Sequence, residues 1–192
     1  QPTLLQPGDD PVATHAGETY DVGDFPRMLD GLPWVADWNG FAARAAESGK
    51  RGRLRGRGLA AYLEWTGALP TETVDIEVDA EGHVTVFSGT QAMGQGLETT
   101  YVQLVTEVLQ IPANAVTLVQ GDTDRANGVG SVGSRSAFVG GSAVVAAGRT
   151  LIVRGKELAA DALETAAADI EFRDGRFVVA GTDKSVGLAE LA

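Results

Sequence analysis

The chain has 192 residues, 44% of them hydrophobic, and a formal net charge of −11 from 15 basic and 26 acidic side chains. This length and apolar content suit one substantial domain or two small ones, each with a real core, and speak against global disorder. The acidic balance argues against a nucleic-acid or anionic-membrane surface, and the absence of cysteine excludes disulfides, thiolate metal sites, iron–sulfur ligation and a cysteine nucleophile within the chain. Only His15 and His83 are present, far apart and in no metal-ligand spacing. Neither a zinc site nor a serine–histidine hydrolase is expected, and both histidines are expected at the surface.

In chain order, residues 1–33 hold five of the seven prolines and read as an extended arm with a short helix near Phe25 to Leu32. No basic start and apolar run mark a signal peptide, and no stretch reaches the roughly 18 uninterrupted apolar residues of a membrane span. A cytoplasmic location is the expectation. The missing initiator methionine suggests a processed chain or a piece of a longer one. "DWNGFAARAAESGKRG" carries a helical stripe of Phe41, Ala42, Ala45 and Ala46, with Gly49, Lys50 and Arg51 at its end. The run "KRGRLRGRG", residues 50–58, is the one basic cluster, and its bland reading is a solvated connector.

Three strand candidates follow: "LAAYLEW", "TVDIEVD" and "HVTVFSG". The last two alternate, with Val74, Ile76 and Val78 on one face and Val84 and Val86 inward, and "AEG" closes them into a hairpin. Leu97, Tyr101, Leu104, Val105, Val108 and Leu109 recur at spacings of three and four, the buried face of a helix. "VTLVQGD" is a strand, and residues 121–136 are a glycine-rich loop. A long helix is expected from about Ala137 to Ala166. Its Gly140, Gly141 and Gly148 would each cost roughly 1 kcal/mol against alanine if exposed, so close packing against a backbone or a cofactor is their sensible use. A second hairpin turns at Asp174-Gly175, and a helix starts just before Ala192, again as in a piece of a longer chain. Mixed hairpins and helices in this order predict an α+β fold rather than a doubly wound parallel sheet. Residues 1–52 form the arm and short helices, and residues 53–192 the main domain.

Two glycine-rich turns stand out. In "MGQG", Gly94 and Gly96 are followed by Thr99 where a dinucleotide fingerprint needs a third glycine, and no Gly-Lys-Ser/Thr makes it a Walker loop. What remains is a backbone free to approach a ligand, with free amides at a helix start suited to phosphate or other anionic oxygens. Gln95 adds an uncharged donor and acceptor. "SVGSRS" is a second such turn: Ser134 and Ser136 offer hydroxyls, Gly133 an amide and Arg135 a fork for phosphate or carboxylate. Together they read as a split cradle for an extended polyanionic cofactor. The bland readings are an ordinary capped turn and, for Arg135, a salt bridge to an acid such as those of "GDTD".

"GTQAMGQGLETTYVQLV", "GDTDRANGVGSVGSRSAFVGGSAV", the lead-in "GRGLAAYLEWTGALPTETVDIEVDAEGHVTVFSG" and "TYDVGDFPRMLD" resemble the molybdenum-binding large subunit of the xanthine oxidase and aldehyde oxidoreductase family. The similarity is to the bacterial branch that includes carbon monoxide dehydrogenase large chains. The resemblance implies part of a molybdopterin-binding domain and a molybdopterin cofactor with molybdenum, as the cytosine dinucleotide in bacteria. It also implies hydroxylation of a small molecule such as an aldehyde or N-heterocycle with water-derived oxygen. Electrons would pass to 2Fe-2S clusters and FAD on partner domains or subunits.

By the same resemblance Gly94, Gln95 and Gly96 contact the cofactor, with Gly133, Ser134, Arg135 and Ser136 holding it from the second turn. Met93 and Ser131 are secondary candidates. The family's catalytic base is a glutamate in a glycine-rich motif that this sequence lacks. Glu64 and Glu98 do not match that motif, and the part of the family's chain that completes the substrate pocket is absent too. No catalytic residue and no metal ligand is assigned, and the isolated chain is expected to be inactive without the remainder of the large subunit and its iron–sulfur and flavin partners. The alternative is a non-catalytic binding or scaffold module that keeps the fold.

Overall fold

A computed structural model describes residues 10–13, 17–20, 23–67 and 69–192. The remaining stretches, which include His15 and part of the expected arm, lie outside the described residues. The chain divides into two compact units, residues 1–63 and 64–192.

In the first unit, Val12–Ala13 (β1) and Thr19–Tyr20 (β2) pair antiparallel. Phe25–Val35 (α1) begins where the Asp24 carboxylate accepts from the Arg27 N–H at 3.2 Å. Pro26 occupies the first turn, where a missing N–H costs little, and Pro33 falls two residues before the end. Phe41–Lys50 (α2) takes in Gly49, and its cap is Arg51. The Arg57 guanidinium lies 4.1 Å from the Trp38 ring centroid and 4.5 Å from that of Phe41. The basic run is therefore anchored by cation–π contact at Arg57 and is not wholly a solvated connector. The expected strand "LAAYLEW" does not form: residues 59–65 have no regular structure and are exposed. Its aromatic and apolar residues favour a strand only where a partner strand and a face to bury exist.

The second unit is built on a three-stranded sheet. Val74–Val78 (β3) and Val84–Ser88 (β4) make the antiparallel hairpin, with Ile76 opposite Val86. Val84 and Val86 are buried, as the alternation requires. Leu97–Leu109 (α3) then crosses over, and Val116–Gln120 (β5) pairs parallel to β4, Val86 opposite Leu118. The sheet order is β3-β4-β5. One parallel pair thus sits inside an otherwise antiparallel, mixed α+β unit. Leu97, Tyr101, Val105 and Leu109 of α3 pack with Val84, Val86, Val116 and Val144 into the first core.

The long helix starts differently from expectation. Ser136–Gly140 is a π-helical turn, and the α-helix proper is Gly141–Leu163 (α4). Its glycines do serve close packing, against α3. A Cβ on Gly140 would fall 2.0 Å from the Tyr101 hydroxyl, one on Gly141 3.1 Å from Leu104 and one on Gly148 2.9 Å from Val108. Further along, Gly155 seats the Phe177 ring. There α4 covers a second sheet of Ile170–Arg173 (β6), Arg176–Val179 (β7) and Ser185–Gly187 (β8), all antiparallel. Leu188–Leu191 (α5) closes this end. Ala159, Ala160, Ile170, Phe177, Val186 and Leu188 form the second core. Among the described residues, Ser136–Leu163 is one helical stretch long and apolar enough to cross a membrane by length and composition. In this fold it is the helix shared by both cores.

His83 is half-buried rather than fully exposed. Its N–H donates to Asp79 Oδ1 at 2.8 Å, and its Nε2 lies 2.7 Å from Thr117 Oγ1.

Candidate functional site

The sheet's carboxyl edge delivers both glycine-rich turns to one place. β4 runs out into residues 89–96 and β5 into residues 121–135, and because these strands are parallel neighbours, their exits lie side by side. Two glycines allow the contact between them. A Cβ on Gly89 would sit 2.5 Å from the Gly128 Cα, so only bare backbones fit.

Gln91 and Ser131 tie the turns together. The Gln91 N–H donates to Ser131 Oγ at 2.9 Å, and Ser131 Oγ donates to the Gln91 carbonyl at 2.8 Å. The Ser136 hydroxyl adds a 2.8 Å bond to Ser131 Oγ. Gln95 braces the first turn from within: its Nε2 donates to the Gln91 carbonyl at 2.8 Å, and its Oε1 accepts from the Met93 N–H. Between the turns lies a cleft of about 470 Å³, walled by Met93, Gln95, Leu97 and Thr100 on one side and by residues 131–134 with Ser136 and Ala137 on the other.

The start of α3, which meets the cleft at Leu97, has unpaired amides. α3 has no side-chain cap, and its first bonded amide is Thr100 N–H, to the Gly96 carbonyl at 3.0 Å. Ahead of it, the N–H groups of Leu97, Glu98 and Thr99 find no acceptor among the described residues. Gly94 and Gly96 are left-handed, at φ +86° and +77°, and a Cβ on either would meet open space. Glycine is needed there for conformation, and the empty side is where a ligand can approach. Gly133 and Ser134 are consecutive left-handed residues at φ +54° and +51°.

The predicted residues therefore divide. Gln95, Gly133, Ser134 and Ser136 line the cleft, as do Met93 and Ser131, while Gly94 and Gly96 do not line it and give the first turn its left-handed backbone. Arg135 departs from expectation. Its guanidinium is fully buried, 2.5 Å from the equally buried Glu72 carboxylate, with further bonds to the carbonyls of Leu69, Thr71 and Gly130. No fork is left for a ligand. The salt-bridge reading holds for Arg135, but its partner is Glu72 and not the nearby Asp122 or Asp124. The serine protons are also committed: Ser134 donates to Glu64 Oε1 at 3.0 Å and Ser136 to Ser131. The donors left for an anion are main-chain amides and the second hydrogen of Gln95 Nε2.

Sequence reasoning gave no role to Gln91, although it lies within a quoted motif, and missed the role of the Tyr101 hydroxyl. The Tyr101 hydroxyl, fully buried under the second turn, donates to the Ser136 carbonyl at 2.6 Å. Burial pushes its pKa above the ordinary value of 10.0, with Thr90 and Ser88 hydroxyls pulling the other way.

A cleft between two glycine-rich turns, with an uncapped helix start at its edge, has the chemistry to receive an anionic, extended group. Comparison with known proteins places the chain in a family. Residues 34–192 match the molybdopterin cofactor-binding domain, and the chain belongs to that family. It is 31% identical to the nicotine 6-hydroxylase large subunit of Paenarthrobacter nicotinovorans, over 95% of this chain and 24% of that protein. It is 33% identical to the carbon monoxide dehydrogenase large chain of Hydrogenophaga pseudoflava, over 95% of this chain and 25% of that one. Among solved structures, the Cu,Mo-CO dehydrogenase in its carbon monoxide reduced state superposes with a TM-score of 0.64 at 31% identity, covering 98% of this chain and 26% of that one. Quinoline 2-oxidoreductase from Pseudomonas putida 86 gives 0.60 at 31%, with the same coverage. The chain spans about a quarter of the length of these relatives. The resemblance to molybdenum hydroxylase large subunits seen in the sequence is thus a family membership.

Proposed function

We propose that the cleft between residues 91–100 and 131–137 is one wall of the molybdopterin site of a molybdenum hydroxylase. The observation that carries this reading is the convergence of two glycine-rich turns, 40 residues apart, on a single cleft with free amides. The group fits the residues present. An uncapped helix start and left-handed glycines suit phosphate oxygens. Gln95 and the serine lone pairs suit the polar edges of a pterin.

In this reading the amides of residues 97–99 hold anionic oxygens and orient the cofactor. Gln95 sets the turn, while Gly94 and Gly96 let the backbone come close. Gly133, Ser134 and Ser136 face it from the second turn, and Arg135 shapes that turn from behind. The cytosine dinucleotide form is the one proposed. When bound, the cofactor supplies two-electron oxidation of an aldehyde, N-heterocycle or similar small molecule, using oxygen from water.

No residue of this chain is assigned to proton transfer. The remainder of the large subunit supplies the base and the rest of the pocket, partner subunits supply 2Fe-2S and FAD, and the assembly is cytoplasmic. Residues 53–192 carry the binding role and residues 1–52 the arm. By itself the chain is inactive; turnover of an aldehyde or N-heterocycle by the purified 192-residue chain would sink that part.

The test is molybdenum analysis and nucleotide release on denaturation, for the full-length protein that contains this sequence and for a Val132→Trp variant that fills the cleft. Stoichiometric molybdenum and cytidine nucleotide in the parent, with both lost in the variant, is the expected result. A parent without either would favour a scaffold module that keeps only the fold.

A further inference from the structure

The buried Arg135–Glu72 pair is left over once the cleft is described. Both side chains are fully buried, at 2.5 Å. Burying such a pair is no economical route to stability, since apolar residues of similar volume do as well or better. What charge provides here is geometry. Arg135 reaches the Leu69 and Thr71 carbonyls and the Glu72 carboxylate on one segment, and the Gly130 carbonyl on the loop. The segment also touches the loop at two further points. The Gly67 N–H donates to the Gly133 carbonyl at 3.2 Å, and Glu64 accepts from the Ser134 hydroxyl at 3.0 Å.

Glu72 also lies against the loop at Gly128. A Cβ on Gly128 would lie 2.6 Å from its Oε1, so the loop's glycine is what lets the carboxylate in. Between these anchors Ser134 keeps a left-handed backbone, an unfavourable conformation for a residue with a Cβ. Such conformations persist where surroundings over-determine them, and they cluster at ligand clamps.

We propose that residues 64–67 and 69–72 act as a strap that sets the second wall of the cleft for the cofactor, with Glu64, Glu72 and Arg135 as positioning residues. The strap fixes the left-handed pair Gly133-Ser134 before anything binds. This inference rests on the cofactor-cleft reading above.

The experiment uses the full-length protein carrying this sequence, loaded with its native cofactor in the cell. Molybdenum and released nucleotide per chain, the rate of cofactor loss on dilution and the unfolding temperature are measured for each variant. Glu64 is exposed, so Glu64→Ala should leave unfolding unchanged while cofactor is lost at least severalfold faster, and Glu64→Gln, which still accepts the Ser134 bond, should restore it. The E72Q/R135M double variant, with both charges gone, should hold at least tenfold less cofactor while remaining folded. If it fails to fold, the Glu64 pair decides. Parent-like retention in Glu64→Ala, or no restoration by Glu64→Gln, overturns the strap. Val132→Trp separates the two readings: if it too keeps the cofactor, the cleft assignment falls, whereas if it is empty and Glu64→Ala is full, only the strap falls.

Discussion

Gln91 and Ser131 exchange two hydrogen bonds across 40 residues of chain, amide to hydroxyl at 2.9 Å and hydroxyl to carbonyl at 2.8 Å. One small side chain here does for the two turns what a strand pair does for a sheet. Ser131 also receives the Ser136 hydroxyl, so three elements meet at one oxygen.

Ser131→Ala should therefore uncouple the turns. Losing these bonds should cost about 1–2 kcal/mol, since Gln91 is exposed and water can replace part of them. Amide exchange at Gln91 should rise sharply while the sheet amides of β4 stay protected. Unchanged exchange at Gln91 would mean the turns are held by something else.

Gly140 and Tyr101 make a second coupled pair. In an ordinary helix, glycine to alanine stabilises by roughly 1 kcal/mol. Here the new methyl would meet the Tyr101 hydroxyl at 2.0 Å and Thr90 Cγ2 at 3.0 Å. Overpacking wins, and Gly140→Ala should destabilise by about 1–3 kcal/mol. In a Tyr101→Phe background the oxygen is gone and the same substitution should cost less, so denaturant unfolding of the four proteins should give a non-zero coupling energy. Additive effects would show that the chain relieves the clash by moving elsewhere.

How much of this was visible in the sequence follows the range of the interactions. Val84 and Val86 inward, the α3 stripe through Tyr101 and Leu109, and the hairpin at Asp174-Gly175 are local patterns, and they read directly. The meeting of the two turns was suggested by their likeness, but the parallel pairing of β4 and β5 that causes it was not, because pairing is a property of distant segments. Arg135 shows the same limit. Its charge is legible, while its partner Glu72 lies 63 residues away and Asp122 and Asp124 are nearer in sequence. β8, three residues ending in glycine, is too short to carry a period. "LAAYLEW" failed for the opposite reason: strand-like composition with no strand beside it.

Tyr101 gives a pH dependence. Its folded pKa is raised by burial above the ordinary 10.0, so the folded state holds the proton more tightly than the unfolded state. The stabilising contribution is complete below pH 10 and is lost as pH rises through the raised folded value. Tyr101→Phe should cost about 1 kcal/mol at neutral pH through the lost bond to the Ser136 carbonyl. The penalty should shrink above pH 10, where the parent loses stability and the variant does not share that loss. Parallel stability curves for the two proteins from pH 8 to 11 would refute this assignment of the alkaline limb.

Gln95 is the most exacting test of the cleft. Its Nε2 donates to Gln91 and its Oε1 accepts from Met93, so the side chain spans its own turn. Gln95→Glu keeps the shape and the acceptor, removes the donor and adds a negative charge beside the open amides of α3. A fold that used Gln95 only as a brace would lose one exposed hydrogen bond and little else. A site that receives an anionic cofactor would also feel the repulsion. Cofactor retention in the full-length protein should fall roughly tenfold, equivalent to about 1.4 kcal/mol. Added salt should recover part of it, because charge repulsion at an exposed site is screened. Gln95→Ala loses both bonds without the charge and should lower retention less, with no salt dependence. If the alanine and glutamate variants retain cofactor equally at every salt concentration, no anionic group sits at the start of α3.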